Sequence, residues 1–296
     1  MGKEQEVELK LQVAIPNEWE KICKYIKQLK GIIKTDKIEL AAWYFDTVDG
    51  DLNKEKIAYR VRKENENWVA TIKGGGSANG GLHSRSEWNV AVENGEPDIT
   101  VFAHTSMDQN MIKKLSTKPL NIIVETIFKR NVVLLTWNCS VIEIALDQGS
   151  IFAGSESVPI LEVELELKEG NKKDLLQLGS VLAKEFSLIV ETKSKLLRGL
   201  ILGGKIELNK QNKNRGNQTM LAIFQLLELI YDEWINQKDI KIEKYNEQIK
   251  IILDGISLSN QQYQGLTEWI SGEQKQKTIN QRVAVATLLL LWSQQN

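Results

Sequence analysis

The chain of 296 residues has two cysteines, Cys23 and Cys139, and two histidines, His83 and His104. Two cysteines exclude a disulfide framework and a cysteine-rich zinc site, and they suit a reducing cytosol. Both are read as small buried apolar side chains rather than reactive thiols. Two histidines are too few for an imidazole metal centre. Excess charge of one sign is also missing: 38 Lys and Arg stand against 39 Asp and Glu, which removes the case for a nucleic-acid binder driven by bulk charge. The longest apolar run, near Val283–Trp292, is too short for the ~20 residues of a membrane span. The N-terminus reads M-G-K-E-Q-E, with no apolar signal region, and Glu6 stands where a myristoylation motif prefers Ser or Thr. The expectation is a cytoplasmic protein with neither nucleic acid nor membrane as partner. G-x-S-x-G, H-E-x-x-H and C-x-x-C are absent. Gly199–Ile206 nearly matches a P-loop but ends on Ile206, which has no hydroxyl for magnesium, and is read as a helix end.

What the chain does have is charge at two-residue spacing. In E-Q-E-V-E-L-K (4–10), Glu4, Glu6, Glu8 and Lys10 share one strand face while Val7, Leu9 and Leu11 share the other. The pattern recurs in Arg60-x-Arg62, in Lys73 at a strand end, in Arg85-x-Glu87-x-Asn89, in Glu143-x-x-x-Asp147 and in Glu162-x-Glu164-x-Glu166. One such strand is a solvated sheet face. Repetition over most strands predicts a wet, charged lumen with the apolar face turned outward under helices and loops. Strand-like runs cover 4–14, 39–46, 57–63, 68–73, 84–92, 122–135, 140–147 and 160–168, with turn signals at Asp49-Gly50, Gly74–Gly76 and Gln148-Gly149. The stretch Gly74–Gly81 reads as a flexible hairpin loop. One helical pattern opens at Pro16 and ends at Gly31, and another covers 172–186. The order of elements is that of an antiparallel sheet, and eight strands suffice to close a barrel. The fold class is therefore α+β: an eight-stranded antiparallel β tunnel barrel with flanking helices, followed by a small all-α C-terminal region. Residues 1–203 form the tunnel domain, 204–218 a polar linker and 219–296 the helical region, whose apolar stripe is read as packing.

Basic pairs alternating with acidic pairs fit a polyanion bound through metal ions. Arg offers multidentate donors to phosphate oxygens, and carboxylate pairs suit Mg²⁺ or Mn²⁺. A bland alternative is a structural ladder of ion pairs, but buried pairs gain little over hydrophobes.

These residues resemble the CYTH domain, the family of triphosphate tunnel metalloenzymes. E-V-E-L-K at 6–10 matches its E-x-E-x-K signature. Tyr44–Thr47, Arg60–Arg62, Thr71–Lys73, residues 80–90, 142–149 and 161–167, and Ser194–Gly199 follow in order. Bacterial inorganic triphosphatases are the nearest likeness, over about residues 3–202. The resemblance implies phosphate ligands at Lys10, Arg60, Arg62, Lys73, Arg85, Arg130 and Lys195. Lys129 and Lys193 are set aside because their neighbours match better, and Arg198 matches at the margin of the expected lumen. It implies an acidic side at Glu6, Glu8, Glu87, Glu143, Asp147, Glu162 and Glu164. Of these, Glu162 and Glu164 are the first choice for metal ligands, Glu6, Glu8 and Asp147 complete the metal set, and Glu87 and Glu143 support it. Glu162, Glu164 and Lys10 are the catalytic candidates. The reaction expected is metal-dependent hydrolysis of tripolyphosphate to pyrophosphate and phosphate by direct attack of water. The rivals are adenylate cyclase, thiamine or nucleoside triphosphatase, and a non-catalytic polyphosphate sensor. Bacterial relatives often carry a histidine-rich helical CHAD domain next. The tail here is shorter, has no histidine, and is expected either to cap the barrel or to make a homodimer.

Overall fold

The computed structural model describes residues 4–79 and 82–206 together with Val285 and Leu289; the side chains of residues 4, 5, 75–79 and 82–85 lie outside the description. The predicted linker and nearly all of the helical tail, and with them the homodimer expectation, fall outside the described residues.

Nine strands form one antiparallel sheet: β1 (Glu4–Val13), β2 (Ile32–Asp46), β3 (Ala58–Glu64), β4 (Asn67–Asn79), β5 (Leu82–Val92), β6 (Asn121–Trp137), β7 (Ser140–Ala153), β8 (Glu156–Glu169) and β9 (Leu188–Val190). Their order is β5-β4-β3-β2-β6-β7-β8-β1-β9, and β5 also pairs with β1. Strand β1 thus bonds β8 along one edge, with Lys10 opposite Glu164, and β5 along the other, with Glu6 opposite Arg85. The eight long strands make a continuous ring. Short β9 is the ninth, added where β1 has run past β5, with Leu11 opposite Val190.

Alternation does the sorting. Leu9, Leu11, Ile142, Ile144, Val163 and Leu165 are fully buried on the outer face of the wall, in one cluster with Trp19, Ile22 and Ile26 of α1 (Trp19–Ile26) and with α4 (Lys172–Glu185). A second cluster lies behind β3–β5, where Ile112 and Leu115 of α3 (Gln109–Ser116) and Phe102 of a 3₁₀ turn (Ile99–His104) cover Tyr59, Val61, Ala70 and Ile72. A short helix α2 (Asp51–Lys54) follows β2. Asp46 explains its placement: the buried carboxylate accepts from the backbone N–H groups of Thr47, Leu52 and Asn53.

Several expectations need correcting. The first helix stops at Ile26, not Gly31. The chain turns at Gly31 (φ +81°), where a Cβ would stand 2.5 Å from the Thr136 carbonyl oxygen, and β2 begins at once rather than at residue 39. Gln148-Gly149 is not a turn: β7 runs through it, and Gly149 is required because a Cβ there would lie 2.1 Å from the Ile127 carbonyl oxygen. Gly74–Gly76 belong to β4, with a register irregularity between Gly74 and Ser77 opposite β5. The lumen wall is not uniformly charged either. On β2 and β6 the inward positions include Leu40, Ala42, Tyr44 and Phe128, packed with Leu200 of α5 (Lys195–Leu202). Gly199 lets α5 sit against Val124, whose Cγ1 would be 2.4 Å from an added Cβ, and the helix closes this end of the barrel.

Candidate active site

Inside the ring is a cavity of about 860 Å³, lined by Glu6, Glu8 and Lys10 of β1, Arg60 and Arg62 of β3, Lys73 of β4, Glu87 of β5, Arg130 of β6, Glu143 of β7, Glu164 of β8 and Lys195 of α5. On the strands, the same alternation that buries Leu9 and Leu165 outside turns these charges inward, while Lys195 enters from the first turn of α5. The described lining carries equal numbers of basic and acidic side chains.

At the α5 end, the Lys195 ammonium lies 2.9 Å from Asp147 Oδ2, 3.0 Å from Glu162 Oε2 and 2.8 Å from Glu164 Oε1. These three carboxylates offer oxygens within 4.8 Å of one another, the hard, oxygen-only set that Mg²⁺ or Mn²⁺ takes. Arg130 adds a two-pronged bond to Asp147 at 2.7 Å and a bond to Glu164 at 2.6 Å. Arg198 donates to Glu162 and to the Pro159 carbonyl. Lys10 meets Glu8 and Glu164, each at 3.1 Å. Burial pulls the Lys195 and Lys10 ammonium groups down, but the carboxylates outweigh it and both stand above the usual lysine range. Burial pushes Glu164 up, and Lys10, Lys195 and Arg130 together hold it well below the usual carboxylate range.

Across the lumen the balance differs. Arg60 reaches Tyr44 Oη at 3.3 Å and Glu87 only at 3.9 Å; its buried Nε has no hydrogen-bond partner among the described residues. Arg62 pairs with Glu64 and lies 3.9 Å from Glu87, and burial together with the like charge of Arg60 pulls it down to about 10. Lys73 bridges Glu6 at 2.6 Å and Glu87 at 2.8 Å. Burial raises Glu6 to about 7.

The structure therefore brings together most of the residues singled out in the sequence, in two layers. Glu164, Glu6, Glu8, Glu87 and the basic residues Lys10, Arg60, Arg62, Lys73, Arg130 and Lys195 face the cavity. Asp147 and Glu162 lie behind it, 0 % and 1 % exposed, and do not line the open volume. Glu143 is at the mouth, 3.5 Å from Lys168. The Arg85 side chain lies outside the described residues, as does that of His83. Lys129 points outward and pairs with Glu39, leaving Arg130 as the inward residue of the two. Missed in the sequence were Tyr44 and Phe128 in the lining, the latter's ring centroid 5.1 Å from Lys195 Nζ and 5.6 Å from the Arg130 guanidinium, and Lys168 at the mouth, 2.7 Å from Glu166, which the even-spaced run includes without a site role. Their signal was present: Glu166 and Lys168 continue the even spacing from Glu162, and Phe128 stands two residues before Arg130.

Among the described residues no helix is long and apolar enough to cross a membrane. The sequence profile described as CYTH domain matches residues 4–200. The inorganic triphosphatase of Haemophilus influenzae is 33% identical over 201 residues, which is 68% of this chain and 56% of that protein. The chain thus spans about half the length of this curated relative. Two solved structures are also similar. A Hippeastrum protein described as revealing a dominant triphosphatase activity has a TM-score of 0.48 and 17% identity over 70% of this chain and 100% of that one. A Bacillus halodurans protein, described in connection with adenylate cyclase, has a TM-score of 0.43 and 18% identity over 67% of this chain and 98% of that one. Over the residues that build the ring and its charged lumen, the chain belongs to the CYTH domain family.

Proposed function

We propose that the protein is a metal-dependent inorganic triphosphatase that hydrolyses tripolyphosphate to pyrophosphate and phosphate. The observation that carries this is the incomplete pairing of Arg60 and Arg62: two half-buried guanidinium groups lining the cavity, both 3.9 Å from the Glu87 carboxylate, with Arg60 otherwise reaching Tyr44 and Arg62 pairing with Glu64. Phosphate oxygens supply the acceptors these donors lack. Because the described lining is already balanced in charge, a condensed phosphate with several negative charges needs added positive charge to enter. That favours entry with divalent cations.

Glu164, with Asp147 and Glu162 behind it and Glu6 and Glu8 on the neighbouring strand β1, would hold Mg²⁺ or Mn²⁺. Such an ion, when bound, neutralises phosphate oxygens and lowers the pKa of a water. The side chains do the rest. Arg60, Arg62 and Lys73 hold the non-bridging oxygens and offset the charge that develops on them. Lys10 and Arg130 keep Glu164 ionised. Water attacks the terminal phosphorus directly: the new P–O bond forms, the bridging P–O bond breaks, pyrophosphate leaves with the electron pair, and the water's proton passes to solvent. Ser194 reaches the lining, but its hydroxyl accepts from Leu197 N–H as a helix cap, and neither cysteine nor histidine lines the cavity among the described residues. This favours water over a covalent nucleophile.

A second reading has one observation in its favour. Ile38, Val132 and Leu134 give part of the cavity wall an apolar surface, which suits an organic group on the triphosphate, as in nucleoside or thiamine triphosphates. Phosphate release from tripolyphosphate, ATP and thiamine triphosphate, in Mg²⁺ and then Mn²⁺, separates the readings. Turnover of tripolyphosphate alone supports the first. Turnover of an organic triphosphate in its place supports the second, and tight binding without release supports a sensor.

A further inference from the structure

Between Glu8 and Lys10, β1 turns Leu9 outward. Between Glu164 and Glu166, β8 does the same with Leu165. Both leucines are 0 % exposed. Helix α4 lies over them, and at Gly179 the approach is tight: a Cβ there would stand 2.6 Å from Leu9 Cδ2 and 3.6 Å from Leu165 Cδ1. A third side chain meets the same point. Leu289 Cδ1 lies 3.4 Å from that Cβ position. Leu289 and Val285 are helical, four residues apart, and fully buried in the cluster behind β1 and β8. The CYTH match ends at residue 200. The wall behind the two strands that carry Glu8, Lys10 and Glu164 is therefore completed by side chains from far beyond the matched segment.

We infer that Leu289, with Val285, is a positioning residue for the lumen, acting through Leu9 and Leu165. Packed interiors have little slack, so a void beside Leu9 and Leu165 is relieved by movement of the strands that bear them. An outward leucine and its inward neighbours share one backbone. A shift of Leu9 or Leu165 therefore moves Glu8, Lys10 and Glu164, whose 3.1 Å contacts run along β1 (Lys10 to Glu8) and between the paired strands β1 and β8 (Lys10 to Glu164). Misplacement of about 1 Å is enough to disturb a site of this kind. The C-terminal segment is then no detachable appendage: at these two positions it is part of the tunnel's own core. The effect on metal binding rests on the reading of those carboxylates given above.

The test uses the full chain and Mn²⁺ alone as probe. Wild type, Leu289→Ala and Leu115→Ala are compared; the last is the same deletion in the separate cluster behind β3–β5. Mn²⁺ affinity is read by titration calorimetry, and amide hydrogen exchange is read over 9–11 and 163–165. Leu289→Ala should weaken Mn²⁺ binding about three-fold or more, less than the ~10–100-fold cost of losing a group bonded to a ligand, and should speed exchange in both strands. Leu115→Ala should lower the thermal transition with Mn²⁺ affinity and exchange in β1 and β8 unchanged. If Leu289→Ala does not fold, Val285→Ala, a smaller deletion, carries the comparison. Unchanged Mn²⁺ affinity in the tail variant, or an equal loss in Leu115→Ala, overturns the inference. Wild type that binds no Mn²⁺ counts instead against the metal reading of the lumen, and the exchange data then decide the inference: unchanged exchange overturns it.

Discussion

Glu6 and Glu87 share one ammonium, Lys73 Nζ lying 2.6 Å from the first and 2.8 Å from the second, yet they titrate in opposite directions. Burial raises Glu6 to about 7, with Lys73 opposing and Glu8 adding to the rise. For Glu87, burial also pushes upward, but Lys73, a hydrogen bond from Glu6 and Arg60 pull it well below the usual range. The pair behaves as one proton shared mainly on Glu6.

A pH dependence follows from Glu6. Between its ordinary value, near 4.5, and about 7 the folded protein holds a proton that the unfolded chain has released. Stability attributable to Glu6 therefore falls as pH rises through that window. Glu87 contributes the reverse: stability present above its unfolded pKa and lost as pH falls toward its folded one. Thermal transitions of wild type and Glu6→Gln, measured at pH 5 and pH 7 without divalent cations, should show wild type losing ground to the variant as pH rises. Parallel pH profiles would count against the shift.

Lys195 is the cation most enclosed by carboxylates. Lys195→Met leaves Asp147, Glu162 and Glu164 with one fewer partner in a buried site, a loss of about 3–5 kcal/mol. It also vacates the place between their oxygens. Added Mn²⁺ should therefore raise the thermal transition of Lys195→Met more than that of wild type. Equal shifts in the two proteins would indicate that the triad takes no metal even when the ammonium is gone.

Arg60 and Arg62 separate a binding role from a structural one. Their contacts to Glu87 are long, so alanine at Arg60 should change stability by no more than about 1 kcal/mol, and alanine at Arg62, which also loses its pair with Glu64, by about 1–2 kcal/mol. Charge-assisted bonds to phosphate are worth about 1.5–3 kcal/mol each, so KM for tripolyphosphate should rise about ten-fold or more. A large loss of stability with KM unchanged would favour the structural ladder of ion pairs.

Gly149 is a test of the fold rather than of the chemistry. Gly149→Ala places a methyl group 2.1 Å from the Ile127 carbonyl oxygen and 2.5 Å from Phe128 Cα. Backbone must move, and the expected cost in chemical denaturation is about 2–3 kcal/mol. A change within about 0.5 kcal/mol would mean that β6 and β7 do not approach as described.

Much of this architecture was legible in the sequence because a charged lumen leaves a mark that an apolar core does not. Glu6, Glu8 and Lys10, or Glu162 and Glu164, cannot alternate with Leu9 or Val163 in a chain that buries both faces, so β1, β3 and β8 announce their inward sides. The β2–β6 wall was hidden for the converse reason: Leu40, Ala42 and Phe128 read as ordinary core, and no periodicity says that the core in question faces the tunnel. Gly149 was misread because a glycine required by close strand approach looks the same in sequence as one required by a turn. The partners of Asp147 could not be read at all. Lys195 comes from a helix 48 residues away, seated against β6 where Gly199 meets Val124 and Leu200 packs beside it. Leu289 and Val285 likewise belong to a helical stripe that any bundle would share, with nothing to mark Gly179 as its contact.

The central claim is that lumen carboxylates drive hydrolysis of a bound triphosphate. Glu164 is where that claim is most exposed, since it joins the buried triad to the cavity and meets Lys10, Lys195 and Arg130. The decisive measurement is the tripolyphosphate turnover of Glu164→Gln in saturating Mg²⁺, alongside calorimetric binding of tripolyphosphate and the thermal transition of the same sample. The account predicts a folded variant that binds substrate and has lost about 100-fold or more of its turnover. A rate near that of wild type would contradict it.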